Sequence, residues 1–180
     1  AKIFPHHHFN ILPVAQKIKR LEKDEGAFAE IIEQVRSADA VLWGFPLYIL
    51  HVHANYKRFI ELVFERGAQG AFAGKYTAAI STSINFFDHT AHNYMQGICD
   101  DLGMRYVDFH SPDMHALMEE EGRQRLVQFG RLFFHAVEQQ IPTQRRTAPL
   151  HPREFTYQPQ NPVEPVSAGD KKVVILHDEN

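Results

Sequence analysis

Three short apolar runs, at residues 40–43, 76–80 and 104–109, recur at intervals of roughly thirty residues, and a stretch patterned as an amphipathic helix follows each. This rhythm restricts the possible folds more than any other feature of the chain. Ala40, Val41, Leu42 and Trp43 carry no polar alternation, which is how a strand covered on both faces reads. Gly44 and Pro46 are expected to end it, because proline lacks an N–H and forces the preceding residue out of helical geometry. Tyr56, Phe59, Ile60, Val63 and Phe64 then recur at helical spacing, with Lys57, Arg58, Glu61 and Glu65 on the other side. After the second run, residues 81–87 form a loop, and Ala91, Tyr94, Met95, Ile98, Cys99 and Leu102 share one helical face that Gly103 stops. After the third, a long helix over 116–139 turns Leu126, Phe129, Phe133 and Val137 inward. Upstream, Asp24 fits an N-cap for a helix carrying Phe28, Ile31, Ile32 and Val35. Strands alternating with helices predict an α/β fold, a doubly wound parallel sheet with helices on both faces. In such sheets the loops at the carboxyl ends of strands bind ligands.

At 180 residues the chain is long enough for one domain with a real core, or one domain with an appendage. A formal charge of −3 and the lack of any Lys/Arg run argue against a nucleic-acid partner. No segment approaches the ~20 apolar residues of a membrane span, and no secretory leader is expected, so the cytoplasm is the expected location. The single cysteine, Cys99, excludes an internal disulfide and any all-cysteine metal or iron–sulfur site within one chain. Fourteen phenylalanines point to a core or pocket rich in flat rings.

Three segments are expected: a core over 1–141, a linker or wrapping arm over 142–170 punctuated by Pro142, Pro149, Pro152, Pro159, Pro162 and Pro165, and a final strand within 171–180. Val173 to Leu176 read as a buried strand. Lys17 to Lys23 read as basic surface, and His6, His7 and His8 as loop residues for which no metal is expected.

The stretch Ala38-Asp39-Ala40-Val41-Leu42-Trp43-Gly44-Phe45-Pro46-Leu47-Tyr48 precedes Tyr56-Lys57-Arg58-Phe59-Ile60-Glu61, then Gly74-Lys75, Ser81-Thr82-Ser83 and Leu102-Gly103-Met104. In this order and spacing, over about residues 24–134, they resemble the flavodoxin-like flavoproteins, especially the NAD(P)H-dependent FMN reductase and quinone reductase group. The first stretch is similar to that family's A-D-x-hydrophobic-G-S-P-x-Y loop, with Phe45 replacing a small residue. The second is similar to its L-K-x-F-I-D helix. The resemblance implies FMN as cofactor, with Pro46, Leu47, Tyr48 and Ile49 against the flavin ring and Thr82, Ser83, Ile84 and Asn85 in the second flavin loop. An isoalloxazine needs apolar or aromatic walls and a few backbone N–H groups near its pyrimidine edge, which loops of this kind supply.

The sequence departs from the family in two places. No strand with a phosphate-binding turn precedes Asp24, so the first βα unit of the fold is missing from the N-terminus. Residues 171–180 either fill that slot, in the same chain or a neighbouring one, or begin a further unit. The second loop also carries Phe86 and Phe87 where the family has glycines.

His89 and His92, three apart at a helix start, are candidates for donating a proton to a quinone or to the reduced flavin. The alternative at each is a surface or satisfied core histidine. Tyr48 and Phe45 have the corresponding alternative of ordinary core-capping rings. The resemblance thus implies an oxidoreductase passing electrons from NAD(P)H through flavin to a quinone, flavin or similar acceptor, working as a homodimer or strand-swapped oligomer. A non-catalytic scaffold or electron-transfer domain with a degenerate flavin site is the other reading.

Overall fold

The computed structural model describes residues 3–84 and 88–149, and beyond them Thr156, Gly169, Val174 and Leu176. The chain divides into two units, 1–150 and 151–180. In the second, the four described residues are exposed and in no helix or strand. The strand expected at 173–176 therefore lies largely outside the described residues.

The stretch expected as basic surface belongs to a helix, α1 (Val14–Lys23), in which Val14, Ile18 and Leu21 fall on one face and are buried while the lysines stay outside. Helix α2 (Glu25–Ser37) follows at once. The Asp24 carboxylate accepts a hydrogen bond from the Ala27 N–H at 2.9 Å, and that bond holds its pKa below the usual carboxylate range.

Strand β1 (Ala40–Tyr48) runs straight through the expected stop at Gly44 and Pro46. Proline is tolerated on a strand with a bare edge, and among the described residues no strand pairs with β1 opposite β3 until Leu47. There β2 (His51–Val52) turns back antiparallel, pairing Leu47 with Val52 and Tyr48 with His51. The two-residue turn between them, Ile49 and Leu50, has φ of +42° and +67°. Two-residue hairpins need such angles, and glycine or asparagine normally supplies them.

Helix α3 (Ala54–Glu65) leads through a short 3-10 turn, Gln69–Ala71, to β3 (Tyr76–Thr82). Then come α4 (His89–Asp101), β4 (Arg105–His110), a second 3-10 turn at Ala116–Met118, and α5 (Glu120–Glu138). The helix expected over 116–139 is thus broken near its start. Gly122 permits the break, since a Cβ there would collide with the Ala116 carbonyl.

The sheet order is β2-β1-β3-β4, with β1, β3 and β4 parallel. On one face α1 to α4 bury Trp43 and Phe45; Trp43 stacks on Phe72 at 5.7 Å and meets Tyr56 edge-on. Rings of this size are each worth about 2–3 kcal/mol of burial. On the other face α5 sets Phe129 and Phe133 against Tyr76 and Ala78 of β3. It packs on β3 and β4. The expectation that residues 40–43 are covered on both faces is therefore corrected: Leu42 is 38% exposed and Gly44 and Pro46 are exposed, because α5 lies over the neighbouring strands.

Arg58 on α3 ties α1 to α3, donating to Glu22 at 2.7 Å and to Glu61 and Glu65 at 3.0 and 2.6 Å. The N-terminal segment lies on α5. Phe4 occupies the notch left by Gly130, and His7 stacks on Phe134 at 3.9 Å with Glu138 3.4 Å away. After α5, Tyr76 donates to the Ile141 carbonyl at 2.9 Å. The Asp100 carboxylate accepts from the Arg146 and Thr147 N–H groups at 3.0 and 2.9 Å. No described helix is long and apolar enough to cross a membrane.

Candidate functional site

The parallel register sets Phe45 beside Ser81 and Pro46 beside Thr82. The segments that follow Pro46 and Thr82 therefore lie at the same end of the sheet, on adjacent strands. Pro46 and Thr82 are thereby neighbours; Leu47 and Tyr48 carry β1 on into its hairpin with β2, Ile49 lies in the hairpin turn, and Ser83 and Ile84 follow β3. Asn85 lies outside the described residues.

A cavity of about 440 Å³ opens at this end. Gly44, Phe45, Pro46 and Tyr48 of β1 form one wall, His53, Asn55 and Tyr56 at the start of α3 another, and residues 11–16 a third. Of the expected flavin-contacting residues, Pro46 and Tyr48 line it, while Leu47, Ile49, Thr82, Ser83 and Ile84 do not. Tyr48 is 54% exposed with its ring edge-on to His53 at 4.8 Å. His53 caps α3, its Nδ1 accepting from the Asn55 N–H at 3.2 Å. The Tyr56 hydroxyl meets the Gly44 backbone, and burial pushes its pKa up, so it stays a neutral phenol.

The third wall was missed in the sequence. Residues 11–13 lead into α1, whose first N–H, that of Val14, donates to the Leu12 carbonyl at 2.8 Å. The signal was present in Pro13, a residue suited to helix starts, ahead of Val14, Ile18 and Leu21 at helical spacing.

Phe45, the bulky departure from the family loop, turns its ring into the core against Tyr56 at 5.8 Å and His92 at 5.7 Å. The two candidate histidines have different settings. His89 is exposed in the first turn of α4. His92 is 2% exposed; its Nε2 lies 2.8 Å from Ser81 Oγ, and Ser81 Oγ lies 2.9 Å from Ser111 Oγ. Its ring stacks on Phe109 at 4.1 Å. Burial holds its pKa below the usual histidine value, against the opposing pull of Asp88 and Asp108. This Ser81–His92–Ser111 cluster was not anticipated, although His92, Met95 and Cys99 share a helical face that marks the ring as inward. Cys99 itself is a core thiol pushed up to about 12 by burial.

Among the described residues no group of three or more His, Cys, Asp and Glu is placed to hold a metal ion. His51 sets its ring edge-on to Tyr94 at 5.1 Å.

A family model described as flavodoxin-like fold matches residues 4–129. The chain belongs to the flavodoxin-like family. Solved structures with this fold include a flavodoxin, WrbA-like protein from Agrobacterium tumefaciens, with a TM-score of 0.53 and 15% identity over 64% of this chain and 73% of that one. An NADH:FMN oxidoreductase, EMOB, in its apo form, gives 0.52 and 18% identity over 74% and 69%. FerB, a flavoenzyme NAD(P)H:(acceptor) oxidoreductase from Paracoccus denitrificans, gives 0.51 and 19% over 76% and 78%. No curated protein sequence matches the chain. The flavodoxin-like assignment accounts for the parallel β1, β3 and β4. It also agrees with a cavity at the carboxyl end of β1.

Proposed function

We propose that this chain is the flavin-binding part of an FMN-dependent NAD(P)H oxidoreductase that passes electrons to a quinone, flavin or similar small acceptor. The observation that carries this is the pairing of Pro46 with Thr82, which aims both candidate loops at one end of the sheet beside a cavity of about 440 Å³. That volume lies within the range of small-molecule sites.

The residues present fit the ring part of the cofactor. Phe45, Pro46, Tyr48 and Tyr56 give apolar and aromatic walls. When bound, FMN would accept hydride from the nicotinamide and pass electrons on. The chain's own part is to hold and shield the ring. Pro46 and Tyr48 would hold it from the cavity wall, and the family resemblance assigns Leu47, Ile49, Thr82, Ser83, Ile84 and Asn85 to it as well. Tyr48, with half its surface free, is placed to cover an open ring face. His89, exposed at the start of α4, is open to a substrate where buried His92 is not, and is the better of the two histidines for donating a proton.

Self-association belongs to the same proposal. Leu42 is exposed and β1 has a bare edge along Ala40 to Pro46 among the described residues, which a second copy would cover. A cytoplasmic setting, where NAD(P)H is supplied, completes it.

The deciding experiment is an anaerobic titration. The protein should bind added FMN, giving absorbance near ~450 nm that NADH or NADPH bleaches. Tyr48→Ala should weaken binding about tenfold. A folded protein that takes up no FMN would overturn this reading in favour of a scaffold domain. Bound flavin that neither nicotinamide bleaches would leave an electron-transfer domain.

A further inference from the structure

We propose that His92 is a positioning residue, which by its bond to Ser81 locks α4 and β4 to the strand end from which Thr82, Ser83 and Ile84 emerge. This rests on the flavin-binding reading, because that turn is the second flavin loop. A ring 2% exposed cannot touch a substrate, so His92 is not the proton donor.

The geometry is a three-way junction. Ser81 closes β3, Ser111 follows β4, and His92 stands on α4; Ser81 Oγ bonds to both of the others, at 2.8 and 2.9 Å. The tie continues outward. Ser83 bridges to Asp113 in parallel, and the Met114 N–H donates to the Ser83 carbonyl at 3.1 Å. The turn after β3 and the turn after β4 therefore move as one body, with His92 beneath them. Phe109 and Phe45 hold the imidazole in a fixed plane.

His92 Nδ1 is buried and has no hydrogen-bond partner among the described residues. The arrangement that leaves no buried N–H unmet puts the single ring proton on Nε2, donating to Ser81 Oγ, with a bare lone pair at Nδ1. Adding a second proton would create an N–H with no acceptor and a charge between two aromatic rings. Asp88 at the head of α4 and Asp108 of β4 are the charged groups acting on the ring. Both favour protonation, and burial opposes it. From β1 and β3 the ring meets Phe45 and Ser81, which carry no charge. The lock is therefore built for a neutral imidazole and should loosen in acid.

The test compares the wild-type chain with His92→Phe and His92→Gln, each checked for a native near-ultraviolet spectrum. Without flavin, amide hydrogen exchange at Thr82, Ser83 and Ile84 should be about tenfold faster in His92→Phe. His92→Gln keeps an N–H for Ser81 and should restore wild-type exchange. With FMN, wild-type affinity should fall between pH 7.5 and 5, and His92→Gln should lose that dependence while binding normally at pH 7.5. Unchanged exchange at 82–84 in a folded His92→Phe, or the wild-type pH profile persisting in His92→Gln, would overturn the proposal. If no form binds FMN, the exchange data still decide the role of His92, and the flavin reading alone falls.

Discussion

Asp100 and Thr147 stand 47 residues apart, and the Asp100 carboxylate accepts hydrogen bonds from both the N–H and the hydroxyl of Thr147, at 2.9 and 2.8 Å. With the Arg146 N–H also bound, this buried carboxylate is the anchor that fastens the chain after α5 to the end of α4. Asp100→Ala leaves those donors unmet and should cost about 3 kcal/mol in urea unfolding. Thr147→Val removes one bond and should cost about 1 kcal/mol. Equal losses for the two would show that the carboxylate has no special role.

Stability should rise with pH across the histidine range. The His92 pKa is lowered by burial, and those of His51 and His110 are lowered as well. Below the unfolded value of about 6.5 the unfolded chain takes up protons that these folded sites refuse. The penalty is absent above that value and grows as pH falls from it toward the lower folded values. Urea midpoints at pH 7.5 and 5.5 should differ in that direction, and His92→Gln should reduce the gap. An unchanged gap would remove His92 from the account.

The hairpin tip is a strained turn. Ile49 is 94% exposed at φ +42°, and Leu50 has φ +67°. Side chains at such angles cost about 1 kcal/mol or more each. Replacing the pair with Asn-Gly should raise the melting temperature. A melting temperature that stays level or drops would mean that the turn carries no strain.

Gly122→Ala should be among the most damaging small changes. Its new methyl would meet the Ala116 carbonyl, a backbone atom with little freedom to yield. A loss of about 2 kcal/mol in denaturant unfolding is expected. Gly44→Ala, where the added atom meets nothing, is the control.

Much of this architecture was legible because burial writes itself as periodicity. The runs containing Trp43, Ala79 and Tyr106, and the stripes of α2, α3, α4 and α5, needed no knowledge of contacts. What stayed hidden depended on neighbours. Leu42 is apolar yet exposed, because coverage depends on where α5 lies rather than on residue type. β2 was missed because Ile49 and Leu50 are chemically unlike turn residues. In the candidate site, the loops at Pro46 and Thr82 could be read from motif spacing. The wall from residues 11–16 and the bond between His92 and Ser81 could not, since each joins segments that only folding brings together.

Strand β4 contains a quiet irregularity with a large reach. Its ladder with β3 slips between the Thr77 and Ala79 positions, so Tyr106 pairs with Thr77 but Phe109 pairs with Ala79. The two rings share a face although they stand three positions apart, and the alternation of the strand changes phase halfway. A chain lacking Asp108 would regain an even zigzag and keep Phe109 and Ser111 where they are, whereas one lacking Gly44 would turn the first half of β1, Ala40 to Trp43, inside out. Comparing the melting temperatures of those two deletions would show that tolerance to shortening here is a matter of parity, not of length.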